Sequence, residues 1–173
     1  MNCVIDENLR VFSGSKGNPM KISTRGRYAL RMMIELAKRQ GDGYISLTDL
    51  SERLGVSKKY LEQIIPSLSR ASFLLTYRGH SGGYRLTRAP EDYSVGEVLR
   101  VTEGSIAPVL CVDPDRPSAC ENIPNCPTYR VWKGLRDVIV NYLDNVRLSD
   151  LLSDKDVDLS QVVLGLEPED RRS

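Results

Sequence analysis

Three of the four cysteines lie within a short, proline-rich stretch of the chain. Their spacing is Cys111-x8-Cys120-x5-Cys126, so one constrained loop carries three soft thiols that could converge on a single centre. Soft thiolates select zinc, cuprous copper or iron–sulfur clusters, although a zinc ribbon would pair its cysteines in C-x2-C knuckles. The alternatives are three unligated thiols or a redox-active disulfide between two of them. The pattern therefore predicts metal, cluster or thiol redox chemistry.

The loop that holds these cysteines, residues 105–127, contains five prolines. A loop of this length inside a compact chain is usually functional or disordered, and we predict a sensor loop. A fourth metal ligand is not evident. The candidates near the cysteines are Asp113, Asp115, Glu121 and Tyr129, or a group from another subunit.

A helix-turn-helix pattern followed by a hairpin precedes the loop. Ser46 can cap a first helix over residues 47–54. Gly55-Val56 makes the tight turn, and Ser57 can cap a second helix. Two β-prone runs then flank a glycine-rich tip at positions 79–83 and predict a hairpin, or wing. A polar, basic helix start beside a basic hairpin can engage the DNA major groove and its flanking backbone.

The candidate DNA contacts lie at this helix start, in the wing and early in the preceding helix. Glutamine can pair with adenine, glutamate can accept from cytosine, and lysine can bind guanine or phosphate. The only histidine, at the wing tip, is expected to face DNA or solvent and not a metal. The residues predicted to contact DNA are Arg25, Arg27, Ser57, Lys58, Lys59, Tyr60, Glu62, Gln63, Arg78, Gly79, His80 and Ser81. Two alternatives stay open: the first two arginines are solvated surface, or the region is a small helical domain with a surface hairpin.

Charge is divided unequally along the chain. Residues 20–90 hold 13 Lys/Arg and 5 Asp/Glu, a net +8, whereas residues 91–173 hold 9 Lys/Arg and 16 Asp/Glu, a net −7. The helix-turn-helix half is therefore the basic half, as a phosphate-binding surface requires. The acidic half is predicted to serve dimerisation, sensing or protein partners.

Other function classes find little support. The chain has one histidine, no convincing acid–base pair and no glycine-rich phosphate loop that opens a helix, so an enzyme is not predicted. It has no apolar run long enough to cross a membrane, and residues 1–19 lack the features of a signal peptide. We therefore expect a cytoplasmic protein.

Apolar periodicity and capping residues predict three further helices, two before the sensor loop and one after it. The first runs from about Thr24 to Gln40, and Ser94 with Glu97 forms a capping box for another over residues 95–103. Pro66 is expected to kink the second helix of the helix-turn-helix or to end its regular part.

The last helix, from about Thr128 to Asn145, carries a wide apolar face, which favours packing against a second subunit. The alternative is packing on its own domain. The predicted dimerisation residues are Val131, Trp132, Leu135, Val138, Ile139, Tyr142 and Leu143.

These features predict a mainly α chain with a small β-wing: a winged helix-turn-helix domain plus a long dimerisation helix. The predicted segments are a disordered leader or foreign remnant (1–19), the DNA-binding domain (20–90), a linking helix (91–104), the cysteine-containing sensor loop (105–127), the dimerisation helix (128–152) and an acidic flexible tail (153–173).

Several motifs, in this order, resemble the Rrf-type winged helix-turn-helix transcriptional regulators. They are Met20 to Leu30 (MKISTRGRYAL), Tyr60-Leu61-Glu62-Gln63, Arg78-Gly79 with Gly82-Gly83-Tyr84, and Gly96-Glu97-Val98 before Glu103-Gly104. The resemblance covers about residues 20–152, and the chain is identified as a member of the family. It implies a homodimeric regulator, in our interpretation a repressor, whose long helix crosses to the partner. Two winged helices would then read a near-palindromic operator in double-stranded DNA.

The resemblance also bears on the cysteines. In the IscR-like and NsrR-like branches, three loop cysteines that correspond to Cys111, Cys120 and Cys126 hold a 2Fe–2S or 4Fe–4S cluster with a fourth ligand that is not cysteine. Here the first cysteine gap is longer, and Tyr129 and Arg27 stand where those branches place a histidine or an aspartate.

The first helix is closest to the CymR-like branch, which lacks the cluster cysteines and takes its signal from a partner enzyme of cysteine synthesis. The resemblance thus implies a regulator that senses iron–sulfur or redox status. The alternatives are control by a docked partner enzyme, a thiol-redox regulator and a zinc-binding regulator.

Overall fold

A computed structural model describes residues 22–79, 82–116 and 120–153. The helices within those ranges are α1 (Thr24–Ala37), α2 (Leu47–Leu54), α3 (Lys58–Arg70), α4 (Val95–Glu103) and α5 (Tyr129–Asn145), and the strands are β1 (Leu74–Tyr77) and β2 (Gly83–Leu86). Short 3-10 helices lie at Pro90–Asp92, Leu110–Val112, Ile123–Asn125 and Ser149–Leu152. The predicted class, mainly α with a small β-wing, is confirmed. The predicted leader (1–19), the wing-tip residues His80 and Ser81, and the predicted tail after Ser153 lie outside the described residues.

Three helices, α2, α3 and α4, begin at the serines that the sequence singles out. Ser46 Oγ accepts a hydrogen bond from Asp49 N at 3.1 Å, and Ser57 Oγ accepts one from Tyr60 N at 3.2 Å. Ser94 and Glu97 form both hydrogen bonds of a capping box at the start of α4. Gly55 ends α2 in the left-handed region at φ 65°, a conformation that glycine adopts without a steric cost. Local capping chemistry therefore sets the frame of the helix-turn-helix.

Two helix ends differ from the sequence prediction. α1 ends at Ala37. Residues 38–42 form tight turns instead of a further helical turn, and Gly41 within them has φ 112°. α3 does not end near Ile65 but continues through Pro66 to Arg70. Burial of Ser67 and Leu68 just after the proline holds this part of the chain in the helix.

One apolar cluster packs α1, α2 and α3 against the root of the wing. Its fully buried members include Met32, Leu50, Leu61 and Ile64. A second, smaller cluster of Val95, Leu99, Ile106 and Val146 joins α4 to the segment that follows α5. None of the helices in the described ranges is long and apolar enough to cross a membrane.

The wing is held at its base by a buried tyrosine. Tyr93 Oη accepts hydrogen bonds from Thr87 N at 3.1 Å and Arg88 N at 3.0 Å, and donates one to Phe73 O at 3.1 Å. β1 and β2 pair antiparallel, with Leu74 opposite Leu86. These contacts fix the direction in which the wing leaves the helical core.

Candidate nucleic-acid interface and cysteine loop

The start of α3 presents four polar side chains to solvent. Leu61, Ile64 and Ile65 bury the opposite face of the helix, so the remaining face must point outward. The exposed residues on it are Lys58, Lys59, Glu62 and Gln63. Charged and amide side chains on an exposed helix start are the groups that read base edges in a major groove.

Two other residues predicted at this helix start have partners inside the chain. The Ser57 hydroxyl caps α3, as described above. Tyr60 is half-buried, and its ring meets that of Tyr28 edge-on with the centroids 5.6 Å apart. Tyr60 therefore braces α3 against α1.

The wing places basic and aromatic groups beside α3. Arg78 and Gly79 are exposed at its tip, where Gly79 has φ 137°. A Cβ on Gly82 would lie 2.6 Å from Tyr77 O, so the tip needs glycine to turn this tightly. An open groove of about 710 Å³ separates the wing from the second half of α3. Pro66 and Ser69 of α3 and Arg78 of the wing thus line a concave surface.

A cation–π stack on the wing is a feature that the sequence analysis missed. The Arg85 guanidinium lies 4.9 Å from the ring centroid of Tyr44, and the Tyr44 and Tyr77 rings lie 5.5 Å apart. Side chains alternate between the two faces of a strand, and Leu75 pairs with Arg85, so residues 75, 77 and 85 lie on one face of the hairpin. The alternation of side chains along the two predicted strands could have indicated that Tyr77 and Arg85 share a face. It gives no indication of Tyr44, which lies outside the strands.

The two arginines of α1 lie in different surroundings. Arg27 is exposed, and its Nη2 donates to Thr24 Oγ1 at 3.1 Å. Arg25 is half-buried, and its Nη2 donates to Gln63 O at 3.1 Å and to Ser67 Oγ at 2.5 Å. Its Nε is buried without a hydrogen-bond partner among the described residues. Arg25 therefore links α1 to α3, a role that no local sequence pattern indicated.

The cysteine loop is structured around two short turns. Cys111 lies half-buried in the 3-10 helix Leu110–Val112, Cys126 lies half-buried just after the 3-10 helix Ile123–Asn125, and Cys120 is exposed. All three are free thiols.

The thiols supply the right donors for a soft metal or an iron–sulfur cluster, but their placement does not form a site. In the described parts of the chain, no group of three or more His, Cys, Asp or Glu side chains is placed to hold a metal ion. Of the candidate fourth ligands, Asp113 is buried and Asp115 and Glu121 are exposed. The described residues of the loop therefore do not show a preformed site for a cluster.

Cys126 is the cysteine whose surroundings favour the thiolate. Its Sγ lies 3.4 Å from Thr128 Oγ1, which also accepts a hydrogen bond from Trp132 Nε1 at 3.2 Å. When Cys126 is a thiolate, the Thr128 hydroxyl is the group that donates to its sulfur. This side-chain hydrogen bond, with backbone hydrogen bonds at Thr128 and Tyr129, lowers the pKa of the Cys126 thiol against a smaller opposing effect of desolvation.

We expect Cys126 to react with iodoacetamide faster than Cys111 or Cys120 at neutral pH, because a lower pKa enlarges the thiolate fraction. Thr128→Val removes the hydroxyl that favours the thiolate. It should slow the reaction of Cys126 by about threefold and move its pH–rate midpoint upward. Mass spectrometry of timed alkylation across pH measures both effects. Cys111 in the same variant is the internal control, and equal slowing at Cys111 would contradict the assignment to Thr128.

The predicted dimerisation residues divide along α5. Val131, Leu135 and Val138 are 61%, 42% and 40% exposed and form one uncovered stripe. Tyr142 and Leu143, by contrast, pack on the small cluster formed with α4. Trp132 and Ile139 are half-buried. The first part of α5 thus has an apolar face that no described residue of the chain covers.

Comparison with known proteins agrees with this architecture. The chain matches the family described as Rrf2, iron-dependent transcriptional regulator, over residues 22–154. It is 39% identical over 134 residues to the HTH-type transcriptional regulator CymR of Bacillus subtilis, covering 78% of this chain and 91% of the relative. It is 34% identical over 138 residues to the HTH-type transcriptional regulator IscR of Aliivibrio salmonicida, covering 80% of each chain. The solved structure of CymR, the global cysteine regulator of B. subtilis, superposes with a TM-score of 0.66, covering 79% of this chain and 98% of that one.

Proposed function

The chain belongs to the Rrf2 family of DNA-binding transcriptional regulators, and we propose that it is a homodimeric cytoplasmic repressor that responds to the state of its cysteine loop. The observation that carries the proposal is the exposed polar start of α3 beside the wing. The basic charge of residues 20–90 supports it, since phosphate attraction supplies much of the affinity for DNA. We infer no catalytic activity.

In the proposed complex, α3 enters the major groove and the wing follows the backbone beside it. Gln63, Glu62 and Lys58 are placed to read bases, whereas Lys59 and Arg78 neutralise phosphates. His80 and Ser81 at the wing tip, with Arg27 on α1, are proposed as further backbone contacts. A dimer would place its two α3 helices about one DNA turn apart, roughly 34 Å, and would therefore read a near-palindromic operator.

Selection of bound duplexes from a random pool should recover such a palindrome. On that operator, Gln63→Ala is expected to lower affinity about tenfold with little change on unrelated DNA, because it removes a base contact. Lys59→Ala should weaken binding to all sequences and reduce the slope of affinity against salt by about one phosphate contact. Fluorescence anisotropy over a salt series measures both.

Glu91 offers a control for these two variants, because it is exposed in the 3-10 helix Pro90–Asp92, which belongs neither to α3 nor to the two strands of the wing. Glu91→Ala should bind the operator like the wild type. Equal losses on operator and unrelated DNA for Gln63→Ala would contradict a base-reading role. Failure of the selection to enrich any sequence would contradict the proposed function itself.

For the signal, we propose that the loop reports iron–sulfur or thiol redox status through Cys111, Cys120 and Cys126. The soft donor set, the activated Cys126 thiol and the match to an iron-dependent family support this. A cluster, when bound, would supply a centre sensitive to oxygen and redox state. The hydrogen-bonded series Cys126–Thr128–Trp132 leads from the loop to α5, so a change at the thiol would reach the proposed dimer helix directly.

A second candidate is a regulator of cysteine or sulfur metabolism controlled by a docked partner enzyme. The 39% identity to CymR, the global cysteine regulator of B. subtilis, favours it. The acidic half of the chain would then bind the partner, and the thiols would be incidental. The cysteine variants argued in the Discussion separate the two candidates.

A further inference from the structure

The linking helix α4 is attached by polar contacts to α1 at one end and to α5 at the other. We propose that Glu103, at the end of α4, is a positioning residue for the recognition helix and acts through Ser23 and Arg25 of the first helical turn. The proposal rests on the DNA-reading function of α3 proposed above. In this proposal, α4 holds the DNA-binding helix-turn-helix in a fixed position relative to the sensor loop and α5.

The first contact joins α4 to the start of α1. Glu103 Oε1 accepts hydrogen bonds from Ser23 N at 3.2 Å and from Ser23 Oγ at 2.6 Å. Ser23 is itself the N-cap of α1, since its Oγ accepts from Gly26 N at 3.1 Å. The carboxylate therefore lies at the positive end of the α1 dipole, where a negative charge is favoured.

Gly26 makes room for this carboxylate. A Cβ at position 26 would collide with Glu103 Oε1, so the carboxylate can occupy this position only beside a glycine; with a larger residue the Glu103 side chain would have to move. Glycine at position 26 thus leaves space for the Glu103 carboxylate to reach Ser23 at the start of α1.

The second contact carries the constraint from α1 to α3. Arg25, two residues after Ser23, donates through Nη2 to Gln63 O and Ser67 Oγ. Gln63 is one of the residues placed to read a base, and Ser67 is buried on the inner face of α3. A shift of the first turn of α1 would therefore move or release the part of α3 that faces DNA.

The third contact fixes the other end of α4. Asp144 of α5 lies over Gly96 in the first turn of α4, where a Cβ would collide with its carboxylate, and Arg100 of the last turn reaches back to form an ion pair with Asp144 Oδ1 at 2.5 Å. Both ends of α4 thus use a carboxylate seated over a glycine. Glu103 is followed directly by Gly104 and the sensor loop, so displacement of the loop or of α5 would be transmitted to α3 through discrete polar contacts.

The test measures operator and unrelated-DNA affinity by anisotropy for the full-length protein and its variants. Glu103→Ala should lower operator affinity about tenfold, which corresponds to about 1.4 kcal/mol, with less than about a twofold change on unrelated DNA. Glu103→Gln should stay within about threefold of wild type, because its amide oxygen can still accept from Ser23. Glu91→Ala, which removes an exposed carboxylate elsewhere, should have no effect.

A double-mutant cycle distinguishes positioning from independent contacts. If Glu103 and Arg25 act in series, Arg25→Ala costs much less operator affinity in the Glu103→Ala background than in the wild type. Additive losses would overturn the proposal, because Arg25 would then act on DNA without Glu103. Equal loss on operator and unrelated DNA, or no loss at all, would also overturn it.

Thermal melting shows whether each variant is folded. If Glu103→Ala does not fold, Glu103→Asp replaces it, since it keeps the charge and the Ser23 cap but shortens the reach of the carboxylate toward Ser23; a selective operator loss of about threefold supports the proposal, and an unchanged operator preference overturns it. Should the wild type show no operator preference, the proposed DNA-reading function has failed. An operator preference that persists in every variant is a different result, because it overturns the role of Glu103 and leaves the proposed DNA-reading function standing.

Discussion

A Leu135→Asp variant is expected to be monomeric and to bind its operator about a hundredfold more weakly than the wild type. Leu135 lies at the middle of the uncovered stripe on α5, between Val131 and Val138. Burying a carboxylate in an apolar interface without a partner costs several kcal/mol, enough to prevent association. A monomer would bind one half-site and lose the gain in effective concentration that the DNA-binding domain of a second subunit provides.

Analytical ultracentrifugation and anisotropy on the operator measure the two effects together. Arg130→Asp is the matched control, because Arg130 is exposed on the same helix but lies away from the stripe. It should remain dimeric and keep its affinity within about threefold, a small electrostatic effect. A Leu135→Asp protein that stays dimeric would refute the assignment of this stripe to the dimer interface.

The helix-turn-helix could be predicted from sequence because its boundaries are set locally. Ser46 and Ser57 accept backbone hydrogen bonds from residues three positions away, and Gly55 supplies the left-handed turn between the two helices. The capping box of Ser94 and Glu97 has the same short range. Such interactions depend on residue type and spacing alone, which a sequence displays directly.

The contacts that orient these elements depend on tertiary structure and left no local pattern. Arg25 was predicted as a phosphate contact or solvated surface, yet its guanidinium binds α3 residues about 40 positions along the chain. Glu103 reaches Ser23 across 80 positions. Pro66 was expected to kink or shorten α3, but burial of the residues after it keeps the helix intact. In each case packing decides what spacing leaves open.

Periodicity identified the apolar face of α5 without showing what covers each part of it. Tyr142 and Leu143 pack on the cluster with α4, whereas Val131 and Leu135 remain exposed. The cysteine spacing was similarly incomplete, because it showed which donors are present and not how the turns place them. Cys111 and Cys126 lie in or beside separate 3-10 helices, and the described residues do not gather the thiols. Three-dimensional placement of a loop depends on turns that spacing does not encode.

Replacing Cys111, Cys120 and Cys126 together by alanine is expected to abolish regulation while DNA binding persists. In the wild type, operator affinity should differ about tenfold or more between anaerobic protein reconstituted with iron and sulfide and the same protein after oxidation, a coupling within the usual range between linked sites. The triple variant should show one affinity under both conditions, because it has no thiol in the loop to ligate or oxidise. Anaerobic anisotropy, with visible absorption and iron and sulfide analysis of each sample, measures the difference.

Cys3→Ala is the matched control, because it removes the one cysteine outside the loop. It should respond like the wild type. Stoichiometric iron with charge-transfer bands in the wild type, lost in the triple variant, would identify cluster loading as the signal. A response to oxidation in iron-free protein would identify thiol chemistry instead, with Cys126 as the first thiol to react. If the triple variant remains regulated in cells, the loop thiols are incidental, and control by a docked partner becomes the better explanation, because it is the candidate that needs no cysteine in the loop.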